Sequence, residues 1–129
     1  MKSTSTAAAV VLAAAAIFSP AAYSSDLDGR TFQGVFIERG KTSGDADTLV
    51  FKDGRFRSTA CDKYGYSDAV YKTSGKGDNM SFEAETQSAK YGKLQWNGVI
   101  RGGKLDATVM MVRDGKAPVE NWVIAAEKR

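Results

Sequence analysis

Short runs of alternating apolar and polar residues, separated by glycine turns, recur along the chain from residue 31 onward. Asp53-Gly54 lies between two such runs, and Gly102-Gly103 and Asp114-Gly115 lie at later boundaries. An Asp-Gly pair between alternating runs is one of the strongest short hairpin signals, because a type I′ turn needs positive φ at both central positions. The pattern therefore predicts antiparallel strands that follow one another hairpin by hairpin.

Eight segments have this period-2 patterning and are joined by short links. They are residues 31–38, 47–51, 56–60, 68–73, 81–86, 93–101, 104–112 and 120–126. We predict an all-β fold, a small eight-stranded antiparallel up-and-down barrel, because closure of the sheet removes exposed strand edges. A two-sheet sandwich is the alternative architecture.

The first 24 residues have the three-part pattern of a secretory signal peptide. Lys2 supplies a positive start, residues 7–18 are apolar, and Ala22-Tyr23-Ser24 places small residues where a signal peptidase cuts. The apolar run of about 12 residues is shorter than the roughly 20 that a membrane-spanning helix needs. We expect a signal peptide over 1–24, a single barrel domain over 25–129, a periplasmic or secreted location and no stable membrane anchor.

The composition narrows the classes of function. The formal net charge is +3 at pH 7, and the lysines and arginines are scattered singly rather than gathered into the basic stripe that nucleic acid requires. The chain has no histidine and one cysteine, so it cannot form a Ser-His or Cys-His pair or an imidazole metal site. We expect no nucleic-acid partner and no enzymatic activity of that kind.

Carboxylates are the remaining candidates for chemistry. Glu83 and Glu85 lie two residues apart on one strand face, a spacing that any solvated strand face can give. Asp45 and Asp47 lack the further oxygen ligands of a calcium loop. We therefore assign no catalytic residue, no metal site and no cofactor.

Cys61 is the single cysteine of a chain that we expect to be exported. Three interpretations are open: a sheltered thiol packed beside Tyr64 or Tyr66, a thiol paired with another molecule, and a reactive thiol. Continued strand alternation would place Cys61 on the same face as Arg55 and Arg57, and nearby cations lower the pKa of a thiol.

The segments 27–34, 47–66, 82–86, 94–109 and 118–124 carry a family resemblance. Their sequences are LDGRTFQG, DTLVFKDGRFRSTACDKYGY, FEAET, LQWNGVIRGGKLDATV and PVENWVI. Together they resemble a group of small exported bacterial proteins with a lipocalin-like (calycin-like) β-barrel, and the resemblance implies that fold and an exported location. True lipocalins open with Gly-x-Trp, whereas this chain has Thr31-Phe32-Gln33-Gly34, so the resemblance assigns no ligand residue.

Large aromatic residues recur on the face that the alternation turns inward. The candidate ligand-binding residues are Phe36, Phe51, Phe56, Tyr71, Phe82, Trp96 and Trp122. Aromatic concavities with few polar groups suit small molecules, and a fully packed core is the competing interpretation. We expect a non-enzymatic binding protein that holds a small apolar or amphipathic ligand.

The opposite face is also partly apolar. Its predicted members are Val35, Ile37, Val50, Val70, Val99, Met110, Val112 and Val123. An apolar stripe on the outside would serve a protein partner or a homodimer. The second functional hypothesis is therefore a protein-interaction module of the cell envelope, such as a stress factor or an inhibitor of a secreted enzyme, and the third is a thiol enzyme or redox sensor using Cys61.

Overall fold

A computed structural model shows a closed barrel of eight antiparallel strands in sequential order, and it describes residues 23–129. The strands are β1 (Thr31–Ile37), β2 (Asp45–Lys52), β3 (Arg55–Ser58), β4 (Ala69–Lys76), β5 (Asn79–Ser88), β6 (Gly92–Arg101), β7 (Lys104–Val112) and β8 (Val119–Glu127). A 3₁₀ segment, Thr59–Tyr64, follows β3. The predicted all-β up-and-down barrel is confirmed, and the two-sheet sandwich is wrong.

The barrel closes where β1 pairs with β8, from Phe32↔Glu127 to Ile37↔Trp122. Gly34 is required at this seam, because a Cβ there would collide with the backbone oxygen of Ile124. At the end of the seam the Arg30 guanidinium donates to both carboxylate oxygens of Glu127, at 2.9 and 2.7 Å. A glycine that allows close approach and a two-pronged ion pair thus join the first strand to the last.

Phe51 lies at the centre of the barrel interior. Its ring centroid is 6.1 Å from that of Phe32, 5.2 Å from Phe56, 5.0 Å from Tyr71 and 5.1 Å from Phe82. These edge-to-face and tilted contacts are the arrangements that aromatic rings prefer. With Trp96, these five residues form what we call the aromatic core, and each of the six side chains is at most 1% exposed.

One end of the barrel is closed by the segment that precedes β1. Leu27 is fully buried, and its backbone N–H donates to the Tyr71 hydroxyl at 3.0 Å. The Tyr71 hydroxyl in turn donates to Asp28 at 2.7 Å, and Asp28 also accepts from the backbone N–H of Gly54 at 2.8 Å. This plug ties the N-terminal segment to β4 and to the β2–β3 turn.

The predicted signal peptide lies almost wholly outside the described residues, so cleavage after Ser24 stays a prediction. Within the described part the Ser24 backbone N–H donates to the carbonyl oxygen of Tyr71 at 2.7 Å. Residues 23–129 include no helix with the length and apolarity needed to cross a bilayer.

The predicted side-chain direction of β8 was wrong. In β8 the inward residues are Asn121, Val123 and Ala125, whereas Trp122 is partly exposed and Ile124 is 53% exposed. Both faces of β8 carry apolar residues, so hydrophobic periodicity does not identify the inner one. Asn121, a polar residue, faces inward because the Arg39 backbone N–H donates to its Oδ1 at 3.0 Å.

Cys61 does not share a face with Arg55 and Arg57, as it would if the strand alternation continued. Strand β3 ends at Ser58, and the chain turns into the 3₁₀ segment, which breaks the alternation. Arg55 and Arg57 are therefore exposed while Cys61 is buried. β3 and β4 pair only at Arg55↔Val70 and Phe56↔Ala69, which leaves the chain between them available to form the 3₁₀ segment.

We expect Phe51→Ala to lower the free energy of unfolding by about 3–5 kcal/mol, because it opens a cavity among four aromatic rings. Urea denaturation monitored by tryptophan fluorescence measures the change. Val35→Ala, on the outer wall, is the matched control and should change stability by less than about 0.5 kcal/mol. A loss below about 1 kcal/mol for Phe51→Ala would mean that the interior repacks freely.

Candidate functional site

A concave site of about 370 Å³ opens at the end of the barrel opposite the plug. We call it the cup. It is lined by Phe36, Glu38, Asp45, Ala60, Cys61, Tyr64, Tyr66, Tyr91, Leu94, Met111, Arg113, Val119 and Asn121. These residues come from the ends of the strands and from all four connections at this end, and the volume lies at the lower end of the roughly 300–1,000 Å³ of small-molecule sites.

The base of the cup is rigid and apolar. The Phe36 ring packs edge-on against Trp96, with centroids 6.1 Å apart. Trp96 lies beneath it, 1% exposed, and its indole N–H donates to Thr86 Oγ1 at 3.1 Å. Since that N–H is already satisfied, Trp96 supports the cup as packing and offers no polar group to a ligand.

A buried carboxylate fixes the wall made by the 3₁₀ segment. Asp47 points into the barrel and is 3% exposed. It accepts from the Ser58 hydroxyl at 2.7 Å and from the Ala60 backbone N–H at 3.0 Å. Burial raises the pKa of Asp47, although the donors around it oppose that shift. The carboxylate thereby holds the start of the 3₁₀ segment against β2.

Ser88 fixes the tyrosine side of the cup. Its hydroxyl donates to the carbonyl oxygen of Tyr64 at 2.8 Å and accepts from the Tyr91 backbone N–H at 3.2 Å. The rings of Tyr64 and Tyr91 meet edge to face with centroids 5.7 Å apart. One buried serine therefore joins the β3–β4 connection to the β5–β6 connection and orients both tyrosines.

Cys61 contributes a sheltered thiol to the wall of the cup. The residue is 6% exposed, and burial raises the pKa of its thiol to about 11, while a hydrogen bond with Ser58 opposes the shift. At neutral pH the sulfur is therefore protonated, and the protonated thiol is a poor nucleophile. This environment favours the sheltered-thiol interpretation over the reactive one.

The structure separates the predicted ligand residues into three groups. Phe36 and Cys61 line the cup. Phe51, Phe56, Tyr71, Phe82 and Trp96 belong to the aromatic core, and Trp122 lies on the outer wall. Of the predicted aromatic set, Phe36 alone has direct access to the cup, and contact between any of these residues and a ligand stays a prediction.

Sequence reasoning missed most of the cup. The alternation of β6 and β7 does place Leu94 and Met111 on the inner face. The predicted ligand residues were nevertheless chosen among the larger aromatic side chains, most of which lie in the core. Tyr66 and Tyr91 lie in connections, where no periodicity indicates direction. Asn121 was missed because the inward face of β8 was assigned wrongly.

The carboxylates considered from the sequence do not come together as a metal or acid–base site. Glu83 and Glu85 are exposed on the outer wall, where Glu85 lies 3.7 Å from the Lys93 ammonium. Within residues 23–129 no group of three or more cysteine, aspartate or glutamate side chains has metal-binding geometry.

Comparison of the chain with family models, curated proteins and solved structures finds no match.

We expect Cys61 to react with iodoacetamide at pH 8 at least about tenfold more slowly in the folded protein than in urea, because burial raises its thiol pKa. In the folded protein the rate should keep rising with pH above the ordinary thiol value of 9.0, since the thiolate continues to form there. In the unfolded protein the alkylation rate should stop rising near that pH. Mass spectrometry of the alkylated protein measures both profiles, and fast labelling of the folded protein at pH 7 would contradict the prediction.

Proposed function

We propose that this chain is an exported, non-enzymatic binding protein that holds a small amphipathic molecule in the cup. The observation that carries the proposal is a concavity of about 370 Å³ at the open end of a barrel whose remaining interior is packed. Export is supported by the signal-peptide pattern of residues 1–24. The closed eight-stranded barrel is compatible with the lipocalin-like group of small bacterial proteins that the sequence resembles.

The distribution of side chains in the cup favours a ligand with an apolar body. Phe36, Leu94 and Met111 form its base and are partly or fully buried. Charged residues, Glu38 and Arg113 among them, lie in the surrounding connections. A ligand would place its apolar part against the base, with the apolar contact contributing roughly 25 cal/mol per Å² of buried surface.

The aromatic core has a different role in this proposal from the one expected from the sequence. Its rings fill the barrel axis and contact one another at 4.8–6.1 Å between centroids. They hold the strands at fixed separations and so keep the cup formed when it is empty. A preformed site avoids the cost of ordering side chains when the ligand binds.

We expect the protein to bind Nile red, an uncharged solvatochromic dye, with a blue-shifted emission. Val119→Trp should lower the dye's affinity at least about tenfold, because an indole placed at the wall would occupy the cup. Glu83→Trp adds an indole to the outer wall of β5, away from the cup, and should leave affinity unchanged. Fluorescence titration measures both variants, and equal binding by wild type and Val119→Trp would argue against the cup as the binding site.

A second candidate function rests on what we call the outer patch: Val35, Val99, Trp122 and Ile124. Val35 is directly opposite Ile124 across the β1–β8 seam, and these two residues are 37% and 53% exposed. Val99 on β6 is 38% exposed. We propose a second copy of this chain as its partner. Asp106 lies between Val99 and Ile124, so the two-fold axis is placed over the β1–β8 seam, where Val35 and Ile124 would meet the same residues of the other copy.

The dimer proposal predicts a mass that rises with concentration. Analytical ultracentrifugation of the protein without its first 24 residues should show a monomer–dimer equilibrium, and Ile124→Lys should abolish it by placing a charge in the buried contact. Lys104→Glu, on the solvent-exposed side of β7 outside the outer patch, is a control for a charge change alone. A strictly monomeric wild type across the accessible concentrations would refute the dimer.

A further inference from the structure

Asn121 is a polar side chain held in one orientation at the wall of the cup. It lies on the inward face of β8, is 2% exposed and lines the cup. The backbone N–H of Arg39 donates to its Oδ1 at 3.0 Å. Because an N–H group can only donate, this bond identifies which end of the carboxamide is the oxygen and places the amide NH₂ on the other side.

The amide NH₂ of Asn121 belongs to a side chain that lines the cup. The side-chain hydrogen bonds within residues 23–129 pair its Oδ1 with Arg39 but pair its Nδ2 with no protein acceptor. No side-chain nitrogen or oxygen that is fully buried in this part of the chain lacks a partner. Nδ2 therefore keeps some accessible surface, and the open space that Asn121 lines is the cup, where a ligand that excludes water would have to supply an acceptor.

The charges around the cup decide which kind of acceptor fits. Glu38 and Asp45 contribute two carboxylates, and Arg113 contributes one guanidinium. A ligand carboxylate would meet a net negative lining, whereas an uncharged carbonyl oxygen accepts the Asn121 hydrogen bond without that repulsion.

We propose that Asn121 is the specificity-determining residue of the cup and that it selects an uncharged carbonyl compound, such as a ketone, ester or amide with an apolar body. This inference rests on the proposed binding function and names the ligand class of the same site. A site built to donate a hydrogen bond discriminates against an analogue that has no acceptor, because its buried donor is then unpaired.

Three naphthalenes of nearly equal size test the proposal. 2-Acetylnaphthalene carries a carbonyl group. In 2-ethylnaphthalene two hydrogens replace the carbonyl oxygen, so no acceptor is left. 2-Naphthoate carries a carboxylate. Each compound competes with Nile red for the protein without its first 24 residues. The loss of Nile red fluorescence gives the three affinities. We expect the wild type to prefer the ketone to both analogues, by about five- to tenfold over the ethyl compound, as for one hydrogen bond.

Asn121→Leu removes the amide and keeps a side chain of similar size. We expect it to lower the affinity for 2-acetylnaphthalene about five- to tenfold and to change that for 2-ethylnaphthalene by less than about twofold. A purely structural role would lower both affinities together. Asn97→Leu, on the outer wall, is the matched control, and Asn121→Val, which suits a strand, replaces Asn121→Leu if the latter does not fold.

The outcomes separate this inference from the function on which it rests. If wild type binds neither Nile red nor any of the naphthalenes, both the binding function and the role of Asn121 fail. If Nile red and 2-ethylnaphthalene bind but Asn121→Leu leaves the ketone preference unchanged, only the inference about Asn121 fails. Tightest binding by 2-naphthoate would also overturn the inference, since it would show that the site selects an anion.

Discussion

At the centre of the barrel, the Phe51 ring contacts four other aromatic rings. Phe51 is on β2, and its partners are on β1, β3, β4 and β5. One side chain thereby links five of the eight strands. The rings fill the axis in the way that a packed protein interior is filled. Filling the axis also confines open volume to the end of the barrel.

The two ends of the barrel differ in which polar side chains bind the backbone of the segments there. At the closed end, Asp28 and the Tyr71 hydroxyl satisfy backbone donors from the N-terminal segment and from a turn. At the open end, Asp47 and Ser88 fix the connections at the rim instead of filling the space between them. At both ends a short polar side chain binds loop backbone. At one end the bound segment closes the barrel, and at the other the bound connections surround the cup.

The cup combines an apolar base with a few oriented polar groups, which is the usual composition of a small-molecule site. The Cys61 thiol is buried in the wall of the cup, and burial raises its pKa to about 11. Asn121 supplies a directional donor. The proposed binding function depends on three features of different origin: the packed aromatic core beneath the cup, the anchored connections around it, and the Asn121 amide, whose oxygen accepts from Arg39.

The strands and most of their inward faces follow from the local pattern of residues. Asp-Gly and Gly-Gly turns predict hairpins, and the apolar residues of β5, β6 and β7 alternate with polar ones that identify the outside. The direction of β8 does not follow from that pattern, because Trp122 and Ile124 are as apolar as Val123 and the choice depends on pairing with β1 and β7. The cup is also visible only in the folded barrel. Tyr66 and Tyr91 lie in two different connections and Asn121 lies on β8, far apart in the chain. Local periodicity carries no information about which loops meet over a barrel mouth.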